Sequence, residues 1–376
     1  MGTLKFPVAL VLILLFSACG SEHFSYGGIP EPDVAFTVYS ASSYTDGSVT
    51  KACYWINGKR VNLDLPGVTG DSWAKAITVS DDKVYIAGYY YDGSKDVACY
   101  WADGVLKNLD VAGIPGTGSS YPEAIAVSGD TVYIAGFGND IYNPYGCYWE
   151  NETRISLELP PGILVTSSSD IIVSEGDVYV TGMYQSDDTF KIRSACYWIN
   201  GELALAPRNL NLTGLYYHSY AGVITVSDNV VYAAGSYLDG ATWHGCYWVN
   251  GVRHDLEQPQ GTEDVNAMGI TVLGDKVYVA GDYVADSDGR YIACFWENGI
   301  LKPLNLDGII DNTLADSRVD AITVYDGKIV ITGCRRAFIN FVPSYWLDNG
   351  RVRCDFPGVG ECLSINSQFI VIKPRI

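Results

Sequence analysis

Along almost the whole chain, apolar residues fall into short runs separated by turn-forming dipeptides. Ala76 to Val79 is one such run, Asp81-Asp82 breaks it, and a second run follows from Val84 to Tyr91. The polar stretch Asp92 to Asp96 leads into Val97 to Ala102, and Asp103-Gly104 turns the chain into Val105 to Leu109. Runs of this length bounded by Asp, Asn and Gly read as strands rather than helices. The stretch therefore predicts four antiparallel strands in succession.

The unit repeats. Cys53-Tyr54-Trp55, Cys99-Tyr100-Trp101, Cys147-Tyr148-Trp149, Cys196-Tyr197-Trp198 and Cys246-Tyr247-Trp248 are followed by the variants Cys294-Phe295-Trp296 and Ser344-Tyr345-Trp346. Their spacings of 46, 48, 49, 50, 48 and 50 residues match the period of propeller blades. Asn-Gly or Asp-Gly follows the Trp in most units and supplies the two positive-φ positions of a type I′ turn. The third unit has Asn151-Glu152 instead, where a strained or wider turn is expected.

A lone unit would leave its apolar faces wet, whereas repetition around a ring buries them between neighbours. The expected fold is all-β: a seven-bladed β-propeller of four-stranded antiparallel blades, with each Trp between blades. Val34 to Tyr39 reads as a second strand without a first, Cys362 to Ile365 as a first, and Phe369 to Ile372 as a second. The chain ends are thus expected to pair within one blade and close the ring, with one second strand left over.

The N-terminus is of a different kind. Lys5 precedes an apolar stretch from Phe6 to Phe16, too short to span a bilayer but sufficient for a secretory signal. Leu15-Phe16-Ser17-Ala18-Cys19-Gly20 resembles the lipobox of bacterial lipoproteins, which implies that Cys19 is acylated and becomes the mature terminus. The expected organisation is a signal peptide at 1–18, a lipidated terminus and linker at 19–33, and the propeller at 34–376. Such a chain is placed at the cell envelope, anchored to a membrane and facing periplasm or exterior.

Charge removes several partners. Loss of Lys5 with the signal leaves 43 acidic against 23 basic residues, a formal −20. That balance disfavours nucleic acid. No cofactor is expected, and His23, His218, His244 and His254 lack metal-ligand spacing. Six cysteines occupy one equivalent position per blade, and adjacent sheets about 10 Å apart are too distant for disulfides. They read as small buried apolar residues; Cys354, Cys362 and Cys334 are left as candidates for pairing near the closure.

Candidate function lies in the variable segments. Lys75, Glu123, Asp170, Asp320 and Glu361 are expected near the channel mouth, with Trp73 and Tyr121 on the blade links. Aromatics beside carboxylates suit a glycan or peptide ligand, and converging carboxylates would raise one another's pKa or hold a cation.

The repeated Ala-Cys-Tyr-Trp-x-Asn-Gly, with Val-Tyr-x-Ala-Gly ahead of it as at Val84 to Gly88 and Val277 to Gly281, resembles the propeller repeats of uncharacterised bacterial surface lipoproteins. More distantly it is similar to kelch repeats. The resemblance implies fold and location and no reaction. The function expected is a non-enzymatic binding or scaffold propeller, acting as a monomer; the alternative is a carbohydrate-active enzyme, glycosidase or lyase, using the carboxylates at the mouth.

Overall fold

The computed structural model describes residues 36–374 apart from 57–58, 111–117, 140–143, 160–162, 187–191, 206–217, 286–288, 305–316, 326, 338–339, 348–351 and 356–369. The expected signal and linker, with Cys19, lie outside these residues, as do Cys362 and Glu361. Among the described residues no helix is long and apolar enough to cross a membrane.

Seven four-stranded antiparallel sheets make up the described chain. Blade 1 draws on both ends, in the order β28 (Ile370–Pro374), β1 (Phe36–Asp46), β2 (Val49–Ile56), β3 (Lys59–Asn62). Blade 2 comprises β4 (Ser72–Ser80), β5 (Lys83–Tyr91), β6 (Asp96–Ala102) and β7 (Val105–Asn108). Blade 3 follows with β8 (Ser119–Ser128), β9 (Thr131–Asn139), β10 (Pro144–Glu150) and β11 (Thr153–Ser156), and blade 4 with β12 (Ile163–Ser174), β13 (Asp177–Ser186), β14 (Arg193–Ile199) and β15 (Glu202–Leu205). Blade 5 holds β16 (Ser219–Ser227), β17 (Val230–Asp239), β18 (Thr242–Val249) and β19 (Val252–Asp255). Blade 6 holds β20 (Thr262–Leu273), β21 (Lys276–Ala285), β22 (Arg290–Glu297) and β23 (Ile300–Pro303); blade 7 holds β24 (Ser317–Tyr325), β25 (Lys328–Ala337), β26 (Asn340–Leu347) and β27 (Val352–Asp355).

The shared blade corrects one expectation. The run at 370–374 pairs with β1, Ile372 opposite Val38, so it fills the first-strand place and is not a surplus second strand. Neighbouring sheets pack in chain order from blade 1 to blade 7. The seam between blades 7 and 1 is not among the extensive strand contacts of the described residues.

Tryptophan fills the seams, as its periodic placement predicts. Trp101, Trp149, Trp198, Trp296 and Trp346 are fully buried. The indole Nε1 of each of four donates to a carbonyl just past the outer strand of the preceding blade: Trp101 to Asp64 at 3.0 Å, Trp149 to Asp110 at 2.8 Å, Trp198 to Glu158 at 2.9 Å, Trp296 to Glu257 at 2.8 Å. A second stitch accompanies the first. The N–H of the residue before the Cys donates to a buried hydroxyl on the next blade, as Ala52 to Ser72, Ala98 to Ser120, Ala195 to Ser219 and Ala293 to Ser317. Satisfying buried polar groups across a seam fixes the angle between sheets as well as their contact.

The cysteines behave as small apolar residues: Cys53, Cys99, Cys147, Cys196, Cys246 and Cys294 are buried free thiols. The third unit's turn departs from expectation. Glu150 pairs with Thr153, so Asn151-Glu152 remains a two-residue turn. Asn151 takes φ 53°. Glu152 gains a role that Gly lacks, since its Oε1 accepts from Tyr100 Oη at 3.0 Å and from Lys107 Nζ at 3.1 Å, both on blade 2.

Candidate functional site

The first strand of each unbroken blade carries a β-bulge at an equivalent place. Register skips between Ala74 and Ala76, Pro122 and Ala124, Ser168 and Asp170, Ala221 and Val223, Ala267 and Gly269, and Val319 and Ala321. The residues left without a ladder partner are Lys75, Glu123, Ser169, Gly222, Met268 and Asp320. A bulge bends its strand and re-aims the extra side chain, so these six share one level of the blades.

Asp170 is therefore one place off the register expected for it. Ile171 opposite Val180 matches Ile77 opposite Ile86, which makes Ser169 the bulged residue of blade 4. The adjacent Ile171-Ile172 pair allows either alignment from sequence, and the ladder selects the first.

Two residues upstream of each bulge stands a cross-strand pair: Trp73–Tyr89, Tyr121–Phe137, Ser167–Met183, Tyr220–Ser236, Asn266–Asp282 and Arg318–Cys334. Each second-strand member directly follows the Gly of the Ala-Gly or Thr-Gly motif. That glycine is required by close approach, because a Cβ on Gly88 or Gly136 would collide with the carbonyl oxygen of Trp73 or Tyr121.

On blades 2 and 3 the pairs form a continuous stair of half-buried rings. Trp73 stacks on Tyr89 with centroids 4.8 Å apart, Tyr89 meets Tyr121 edge-on at 5.1 Å, and Tyr121 meets Phe137 at 5.4 Å. Tyr121 Oη donates to Asp96 Oδ2 at 2.7 Å. Burial, then that bond, raises the Tyr121 phenol to about 12. Beside the stair, Lys75 Nζ lies 3.9 Å from Glu123. Burial pushes the Glu123 carboxyl up and Lys75 opposes it.

Asp170 braces two blades. Its Oδ1 accepts from Ile171 N–H at 2.8 Å and its Oδ2 from Ile224 N–H of blade 5 at 3.0 Å. Burial nevertheless lifts its pKa to about 6. With both oxygens engaged by backbone, it is a structural tie between inner strands.

A polar cluster occupies the same level on blades 6 and 7. Asn266 Nδ2 donates to Asp282 Oδ1 at 3.0 Å, and Asp282 is buried. The Arg318 guanidinium lies 3.9 Å over the Tyr291 ring. Burial and then the nearby Asp282 charge push the Asp320 carboxyl well above the carboxylate range, against the pull of Arg318. Asp320 Oδ2 and Arg318 Nε are closed off from solvent and have no hydrogen-bond partner.

The carboxylates expected to converge are thus distributed. Glu123 answers Lys75, Asp170 answers backbone, and Asp320 answers Asp282 and Arg318. Glu361 lies outside the described residues. Among those described, no group of three or more His, Cys, Asp and Glu could hold a metal ion. Sequence reasoning found Trp73 and Tyr121 but missed Tyr89, Phe137, Asn266, Asp282 and Arg318. The signal for three of the five was the residue after, or two before, a motif already recognised: Tyr89, Phe137 and Asp282 each follow the repeated glycine.

No family model and no curated protein matches the chain. Among solved structures it is similar to a polysaccharide lyase of family PL25, an ulvan lyase, at TM-score 0.46 and 10% identity over 75% of this chain and 81% of that one. It is also similar to YCF48 bound to a D1 peptide, at TM-score 0.45 and 12% identity over 84% and 95%. A third, Pyrococcus horikoshii acylaminoacyl peptidase, gives TM-score 0.40 and 10% identity over 76% and 52%. Likeness this remote carries nothing about activity, and the chain is an all-β protein of seven four-stranded propeller blades on the pairing of its own strands.

Proposed function

We propose that this protein is a non-enzymatic binding propeller of the cell envelope, held to a membrane through acylated Cys19, with a glycan as its ligand. One observation carries the reading: four half-buried rings run without a break across two blades at the bulge level. The C–H face of a sugar ring stacks on such surfaces, and amphipathic Tyr and Trp serve both its apolar face and its hydroxyls. Asp96 and Glu123 stand beside the stair as acceptors.

The test uses the full chain in a detergent free of sugar, titrated calorimetrically with neutral and acidic oligosaccharides of four to six units. Binding that Trp73→Ala and Tyr121→Ala each weaken by about tenfold or more, with circular dichroism unchanged, supports the reading. A ring that stacks on a ligand is worth on the order of 1–3 kcal/mol. Silence across the panel refutes it, and a peptide ligand would replace the glycan. Release of cleaved products would instead favour a carbohydrate-active enzyme, although Asp170, with both oxygens bound to backbone N–H, is poorly placed for that chemistry.

A further inference from the structure

First strands pack on first strands from β28 through to β24, so all blades present the same two sides. One side carries the turns that join first to second and third to fourth strands; the other carries the connections from second to third strand and from blade to blade. The aromatic stair belongs to the loop side. Trp73, Tyr89, Tyr121 and Phe137 each stand within two residues of the end of β4, β5, β8 or β9 that lies away from the turns. Six or seven residues separate each ring from the turn end of its strand, a rise of about 20–25 Å at about 3.3 Å per residue.

The chain enters from the turn side. Phe36 pairs with Pro374, and Tyr39 pairs with Ile56, the last residue of β2 before its turn to β3. From there β1 runs toward Asp46 on the loop side. Sixteen residues, 20–35, separate Cys19 from Phe36, a reach of at most about 55 Å. Laying the loop side on a bilayer would use about 30 Å of that reach to climb a strand of nine residues, whereas keeping the turn side down uses none. The exposed apolar residues fall the same way. Val105, Val252 and Ile300, each the first residue of a fourth strand, stand beside the turns of blades 2, 5 and 6, and the remaining large exposed hydrophobic among the described residues, Tyr91, is on the loop side.

We propose that the protein stands on its membrane with the turn side down, so that the stair opens away from the bilayer and takes a glycan presented from beyond it, not the sugar headgroup of a lipid in the same membrane. This rests on acylated Cys19 and on the glycan-binding reading above, and adds to them the direction from which the ligand comes. The headgroup layer of one leaflet is only about 5–8 Å deep, so a headgroup beside the protein stops well short of the rings. Asp81, Asp82, Asp130, Glu175, Asp228 and Asp275 stand on the lowered turns, which favours a neutral over an anionic lipid surface.

The experiment reconstitutes the acylated full chain in phosphatidylcholine vesicles whose headgroups carry a fluorescence acceptor. A single donor fluorophore is attached through a clickable residue at Asp130, exposed on a turn, or at Ser94, exposed on the connection between β5 and β6. Labels separated by about 25–30 Å of strand are expected to differ in energy transfer by at least about twofold, Asp130 giving the stronger. Equal transfer, or stronger transfer from Ser94, would overturn the orientation; a chain that does not associate with the vesicles overturns it together with the anchor. A second arm displays the tightest-binding oligosaccharide of the panel as a glycolipid, either in separate vesicles or in the protein's own. Bridging of separate vesicles, weakened by Trp73→Ala, is expected. Loss of soluble oligosaccharide binding when the glycolipid shares the protein's vesicle would show the stair filled from its own membrane and overturn the proposal. A panel with no binder defeats the glycan reading and its source, while energy transfer still decides which side meets the lipid.

Discussion

Among the described residues, the seam between blades 4 and 5 holds a small apolar recess beside a residue smaller than its counterparts in five other blades. The second-strand residue opposite the Trp is Ile86, Ile134, Val180, Val279 or Ile331 in five blades, each at most 1% exposed, and Ala233 in blade 5. Beside Ala233 lies a small apolar recess of about 20 Å³, lined also by Ala195, Cys196, Tyr197, Ala221, Trp248 and Gly251. Ala233→Val adds two methyl groups to this space, worth about 1.6 kcal/mol at about 0.8 kcal/mol per buried carbon. The recess holds little more than one of them, so adjustment of neighbours returns part of the gain. A net stabilisation of about 1 kcal/mol follows, or a rise of about 2 °C in Tm for a chain of this size. Differential scanning calorimetry on the full chain, repeated at two heating rates, measures it. The reciprocal change, Ile134→Ala, opens the same void in a filled seam and is expected to cost about 2–5 kcal/mol. If Ala233→Val lowers Tm while Ile134→Ala costs under about 1 kcal/mol, seam filling is not what this residue position does.

Two further outcomes follow from the seams. Trp149→Phe keeps most of the buried ring but deprives the Asp110 carbonyl of its 2.8 Å donor, costing about 1–3 kcal/mol, against about 3–5 kcal/mol for Trp149→Ala; equal losses in urea denaturation would show that the hydrogen bond contributes nothing. Asp170 binds its proton more tightly folded, at about 6, than unfolded. Its contribution is therefore full below about pH 4 and is lost as pH rises to about 6, some 3 kcal/mol in all. Denaturation from pH 3.5 to 7.5 will show that fall in wild type and a flatter profile in Asp170→Asn, and coincident profiles would refute it.

How much was legible depended on how often a signal recurred. The blade count, the buried tryptophans and the unpaired cysteines came from a motif repeated seven times, where one weak copy could not mislead. Single features fared less well. Asn151-Glu152 read as a flaw because the residues Glu152 serves, Tyr100 and Lys107, belong to another blade. Asp170 was misaligned because two isoleucines follow it and apolar pattern cannot choose between them. The polar cluster was missed for a different reason: Asp282 and Asp320 are 38 residues apart, and only packing of blade 6 on blade 7 brings them together. The N-terminal region contributes nothing comparable, and Cys19 stands on its resemblance alone.

The bulge and its facing glycine are a single device divided between two strands of one hairpin. Wherever the hairpin recurs the device recurs with it, so each of these units holds one residue excused from pairing. Freed from the demands of the ladder, that residue is lysine, glutamate, serine, glycine, methionine and aspartate in the six blades that carry it. An architecture that looks uniform in its seams thus carries a built-in place for each copy to differ.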